Sequence, residues 1–153
     1  MTTQIFPGAV LVAGILTLAV CLSVHAVFMF VVLRSQVRFR RWVPNASGIG
    51  LIVPSILLAT VLTIVSSLVQ IIIWAALCWT SSHFDTFRDA TYFAATTYTT
   101  VGSGVHPLTS PYRVFEPLAA MNGMLAAGLN TAILFTILSN FGRHRSGFDE
   151  FFK

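Results

Sequence analysis

Residues 96–105 read T-T-Y-T-T-V-G-S-G-V, from Thr96 to Val105. Long apolar runs lie on either side, yet the stretch itself is too polar to be a lipid-facing helix. Four threonines interrupted by a tyrosine lead into Val101, and Gly102 and Gly104 stand one residue apart. Non-helical backbone at membrane depth is tolerated only where protein buries it or water lines it. A glycine-punctuated segment after a short helix is one way to line such a path with backbone carbonyls. The rest of the chain reads as a frame for these residues.

Composition sets the class. The chain has 153 residues, of which 56% are hydrophobic and only 9% charged. Its mean hydropathy is +0.81. A soluble domain averages about 25% charged residues, so this chain is expected to be an integral membrane protein of a single domain. The apolar runs have helical lengths rather than the ~10-residue alternating segments of a barrel. The net charge of +4 comes mainly from clustered arginines that flank apolar spans. That placement bears on topology and argues against a nucleic-acid partner. Cys21 and Cys78 should lie at different depths, as small apolar residues rather than a disulfide or a metal site.

The run from Gly8 to Leu33 is long enough to span a bilayer of about 30 Å. Arg34, Arg38, Arg40 and Arg41 follow, and by the positive-inside rule they form a cytoplasmic loop, with the N-terminus outside. Contact of these four arginines with anionic lipid is a further expectation. Pro44, Asn45, Ser47, Gly48 and Gly50 mark a turn. A second uncharged run extends from Gly48 to Ser82, with Pro54 near its start, where a proline costs least. Trp74 and Trp79 suit the outer interface. Gln70, and His25 as a neutral imidazole, are expected to bond a neighbouring helix. The last span runs from Val114 to Phe141 and is interrupted only by Glu116; Arg143, His144 and Arg145 then belong in the cytoplasm. The segments are therefore an N-terminal helix and basic loop (1–47), a second unit (48–142) and a short tail (143–153).

Between the second and last spans the arithmetic is that of a re-entrant loop. Thr86, with Asp89 three residues on, is a variant capping box that starts a helix over Phe87 to Tyr98. Twelve helical residues rise about 18 Å, half a membrane. Extended chain from Thr100 to Gly104 returns about 16 Å. Descent and return match, and Pro107 and Pro111 bring the chain out. No internal repeat is visible, so a pore built from this loop needs several copies.

The segment Y-F-A-A-T-T-Y-T-T-V-G-S-G, Tyr92 to Gly104, resembles the pore helix and selectivity filter of the potassium-channel superfamily, whose motif is T-V-G-Y-G-D. Upstream, L-V-Q-I-I-I-W (Leu68 to Trp74) is similar to the outer helix of small bacterial members. Asn122-Gly123 and G-L-N-T-A-I-L-F (Gly128 to Phe135) are similar to the inner helix. The resemblance implies an all-α membrane fold: three transmembrane helices, a re-entrant pore helix and an extended filter strand, assembled as a homotetramer. It implies that carbonyls of Thr100, Val101, Gly102 and Ser103, with Gly104, bind permeant ions, and that Thr96, Thr97 and Thr99 support them. On the inner helix it implies hinge or cavity roles for Gly123, Gly128, Asn130, Thr131 and Phe135. No cofactor is implied beyond the permeant potassium or sodium, and the setting is a bacterial inner membrane.

Two positions depart from that pattern. Ser103 stands where the family has tyrosine, and Val105, beside His106 at the outer mouth, where it has aspartate. The expected function is a tetrameric cation channel passing potassium with weakened selectivity. The alternatives are a non-selective monovalent cation channel and a non-conducting assembly protein of channel-like fold. No paired carboxylates, Ser-His pair or metal cluster at membrane depth suggests an enzyme.

Overall fold

The computed structural model describes the backbone of residues 7–42, 48–81, 83–102, 104 and 108–143, with side chains throughout except at 39–42, 48–52 and 140–143. Four α-helices follow one another: α1 (Pro7–Trp42), α2 (Gly48–Thr80), α3 (Phe87–Tyr98) and α4 (Phe115–Arg143), the last preceded by a 3-10 turn at Tyr112–Val114. No strand occurs among the described residues. Three helical stretches are long and apolar enough to cross a membrane: Pro7–Arg38, Val53–Thr80 and Tyr112–Ser139. The fold is thus the expected three spans plus one half-length helix.

The helix α1 runs on to Trp42, so the arginines expected in a loop sit on its last turns instead. Arginine is a good helix former, and positive charge is favoured at a helix C-terminus. Pro54 is likewise deeper in α2 than the sequence suggested, because that helix already starts at Gly48. It lies beyond the first turn and leaves one carbonyl without an intrahelical donor.

The packing follows from one face of α2. Ser66, Gln70, Trp74 and Cys78 recur every four residues, and all are buried. Such spacing puts them on a single stripe. Trp74 therefore belongs to the core and not to the outer interface, where the sequence reading put it; its ring meets Phe115 edge-on at 6.4 Å. Trp79, one position off the stripe, is exposed and meets the Phe87 ring edge-on.

The helix α1 lies antiparallel to α2. Near its middle His25 Nδ1 bonds Ser66 Oγ (3.1 Å), and further along Gln36 donates to the Ser55 carbonyl (3.1 Å). Against α4 it runs parallel. Gly14 meets Phe115 and Leu118, and lower down Val32 clusters with Ile133 and Ile137. Its other face exposes Leu16, Val20, Val27 and Phe30, as lipid contact requires of a membrane helix.

The helix α3 begins where Thr86 caps it. Thr86 Oγ1 accepts from the Asp89 N–H (3.2 Å) and donates to the Asp89 carboxylate (2.7 Å). An acid in the first turn also complements the helix dipole. The segment that enters α3 and the one that returns are stitched together: His83 Nε2 is bonded to Thr109 Oγ1 (2.7 Å), and the His83 ring packs on Tyr112 at 4.9 Å. The chain therefore goes in along α3 and comes out at the level where it entered. A re-entrant loop would bring its two ends together in this way.

Candidate functional site

The end of α3 determines the path of the next residues. Thr99 is its C-cap, and Thr100 takes a left-handed φ of 63°. The Thr100 N–H donates to the Thr97 carbonyl (2.9 Å) and the Val101 N–H to the Thr96 carbonyl (3.0 Å). This pair of bonds is a Schellman motif, with threonine at the position glycine usually takes. A β-branched residue at positive φ is an outlier. The Gly102 N–H also reaches the Thr96 carbonyl, at 3.0 Å.

Three successive N–H groups thus point back at the helix end. In a trans peptide the carbonyl points opposite to the N–H of the following residue. The carbonyls of Thr99, Thr100 and Val101 therefore turn away from α3. Left-handed φ recurs at Gly102 (75°) and Gly104 (62°). A right-handed residue followed by a left-handed one, as at Thr99 and Thr100, turns successive N–H groups to one side. Thr100, Val101, Gly102 and Gly104 are exposed on the single chain, Val101 by 78%. Ser103, Val105 and His106 lie outside the described residues.

The supporting threonines act through main chain more than side chain. Thr96 and Thr97 hold the segment by their carbonyls. The hydroxyl of Thr96 bonds back to Tyr92 and Phe93, and that of Thr99 to Ala95 and Thr96. Thr97 is buried.

The last span divides the inner-helix candidates by face. Gly123 is buried and abuts the Tyr98 carbonyl so closely that a Cβ there would overlap it. Gly128 has nothing within 4 Å of a Cβ position. Met121, Met124, Gly128, Thr131, Phe135 and Leu138 recur every three or four residues and are exposed, Phe135 by 70%. They form one uncovered stripe. Asn130 lies off this stripe, half-buried, in line with the buried Ala126, Ile133 and Ile137.

A model of the family described as ion channel matches residues 59–140. The match takes in most of α2, all of α3, the glycine-punctuated segment and nearly all of α4. The chain belongs to the ion channel family. No curated protein and no solved structure matches it.

In this channel α1, which precedes the matched part, is bound into the rest through buried polar groups. Gln70 Nε2 donates to His25 Nδ1 (3.2 Å) and also lies 3.2 Å from Ser66 Oγ. His25 thus bonds a neighbouring helix, as expected. One turn away Cys21 lies beside Asn122 of α4. The Tyr98 ring end faces Ser67 of α2 and Cys21 of α1. The last residue of α3 is buried in one cluster with Cys21 of α1, Trp74 of α2 and Ala126 of α4. Both cysteines are free.

Sequence reasoning missed two residues here. Tyr98 was read only as the end of α3 and is a buried anchor. Glu116 looked like a mere interruption of a span. Its carboxylate accepts from the Leu108 N–H (3.2 Å) and lines a cavity of about 410 Å³ together with Thr100, Gly102 and Gly104. At the opposite end of α1, Arg34 lies over the Phe30 ring at 5.8 Å, and Arg38 is exposed on the same side. The side chains of Arg40 and Arg41 lie outside the described residues.

Proposed function

We propose that the channel is a homotetrameric cation-conducting pore that favours potassium, less strictly than a channel with the full T-V-G-Y-G-D motif. The observation that carries this reading is the orientation of the segment after α3. Its N–H groups are bonded to the helix end, so its carbonyls face the open side. Four such strands around an axis would present stacked carbonyl rings in place of a cation's water shell. Ion passage is then passive, down an electrochemical gradient, with no catalytic step and no cofactor beyond the permeant ion.

Exposure supports assembly. Polar backbone at membrane depth must meet protein or water, and one chain leaves its own uncovered. The exposed stripe of α4 is what neighbouring copies and a water-filled cavity would face, with Thr131 and Phe135 towards the ion path. The dipole of α3 directs partial negative charge to the same place. In the bacterial inner membrane the arginine-bearing end of α1 and the tail beyond α4 lie on the cytoplasmic side. There Arg34 and Arg38, with Arg40 and Arg41, meet anionic lipid.

Serine at position 103 and valine at 105 motivate the second reading, a channel-like assembly protein that does not conduct. Purified protein in liposomes separates the two. The first reading requires a native mass of four chains and potassium efflux carried by the protein. A smaller assembly, or a tetramer with no flux above empty liposomes, supports the second.

A further inference from the structure

We propose that Glu116 supplies the negative charge acting on the outer end of the filter, where the sequence has valine at position 105. The inference rests on the cation-pore reading above and names the residue that sets its conductance at low salt. Three of the residues that line the cavity behind the filter, Thr100, Gly102 and Gly104, belong to the filter itself. Phe93 and Thr97 of α3 and Pro117 and Ala120 of α4 complete the wall, and Glu116 is its charged member. The bond to Leu108 fixes the carboxylate between the returning loop and the cavity. Asp89, by contrast, is engaged in capping α3 with Thr86.

The geometry makes that charge effective. A compact cavity of this volume is roughly 9 Å across, about one Debye length at physiological ionic strength. Walls of phenylalanine, proline and alanine lower the local dielectric and strengthen the field relative to bulk water. Negative potential in such a cleft raises the local concentration of cations. The effect belongs to the charge and not to the hydrogen bond, so the two are separable by substitution.

Glu116→Gln keeps an oxygen that accepts from Leu108 and removes the charge; Glu116→Asp keeps the charge. Both are compared with the unaltered channel by single-channel recording in planar bilayers. At about 10 mM KCl the glutamine variant should pass roughly two- to threefold less inward current, and the difference should shrink near 1 M, where the Debye length falls to about 3 Å. The aspartate variant should track the unaltered channel. If the glutamine variant does not assemble, Ala120→Cys provides the same test after reconstitution. A positively charged thiol reagent there should neutralise the carboxylate and lower low-salt current. Unchanged low-salt current, or an equal loss at both salt concentrations, overturns the assignment while leaving the cation-pore reading intact. An unaltered protein that passes no cation overturns both.

Discussion

Gly123 of α4 lies directly against the carbonyl oxygen of Tyr98, the last residue of α3. The glycine has no side chain to keep the two apart, and the contact sets how near the end of α3 can approach the last span. The obstacle to any Cβ at this position is backbone, which cannot rotate aside.

Gly123→Ala should therefore destabilise the channel by about 3 kcal/mol or more, at or beyond the upper end of ordinary overpacking. Gly128→Ala has open space and a helix-favouring residue in its favour, so it should be neutral or stabilising. Thermal unfolding of the two variants in detergent checks this. A Gly123→Ala variant as stable as the unaltered chain would mean that the close contact does not exist.

Thr100 sits at a φ of 63° in a position glycine usually fills. Thr100→Gly should relieve about 1–2 kcal/mol of backbone strain. Gly102→Ala, at a φ of 75°, should cost a similar amount although nothing crowds it. Opposite shifts in melting temperature are expected. A stability loss in Thr100→Gly would show that contacts of the threonine side chain outweigh its strain.

The junction of His25 with Ser66 and Gln70 ties α1 to the part of the chain shared with the family. Double-mutant cycles between His25→Ala and Gln70→Ala should give a coupling of roughly 0.6 kcal/mol, the average for interhelical hydrogen bonds in membranes, and at most about 1.7. Additive losses would mean that the two side chains do not act together.

Topology has its own test. Cys21 and Cys78 are buried, so an added cysteine reports cleanly. An impermeant thiol reagent applied outside should label Asp85→Cys, in the loop before α3, and should reach Val37→Cys only after permeabilisation. The reverse pattern would invert the channel and direct the re-entrant loop from the cytoplasmic side.

Much of this was legible in the sequence, for reasons that differ by residue. The bounds of α3 were readable because Thr86 and Asp89 mark its start and the run of threonines its end. Gln70 and His25 were readable because a lone polar group in an apolar span must find a partner. Trp74 was misread because interface tryptophans and core tryptophans look alike until the buried face of α2 is known. The seat of α1 along α2 and α4 was hidden, because a helix that is apolar all round has no periodicity to point to its neighbour. Gly123 was legible only as a small residue, since the atom it makes room for is backbone. The Schellman turn at Thr100 was hidden because the usual signal for it is a glycine. Glu116 gained meaning only when folding brought Thr100, Gly102 and Gly104 beside it.

The most direct test of the account is the reversal potential of single channels formed by the purified protein under bi-ionic potassium and sodium. The proposed carbonyl-lined filter predicts unitary currents that exclude chloride and reverse on the potassium-selective side, by less than strict selectivity requires. Substituting Ser103→Tyr with Val105→Asp should move that reversal further in the same direction. A current carried by chloride, one that does not distinguish the two cations in either protein, or none at all would contradict it.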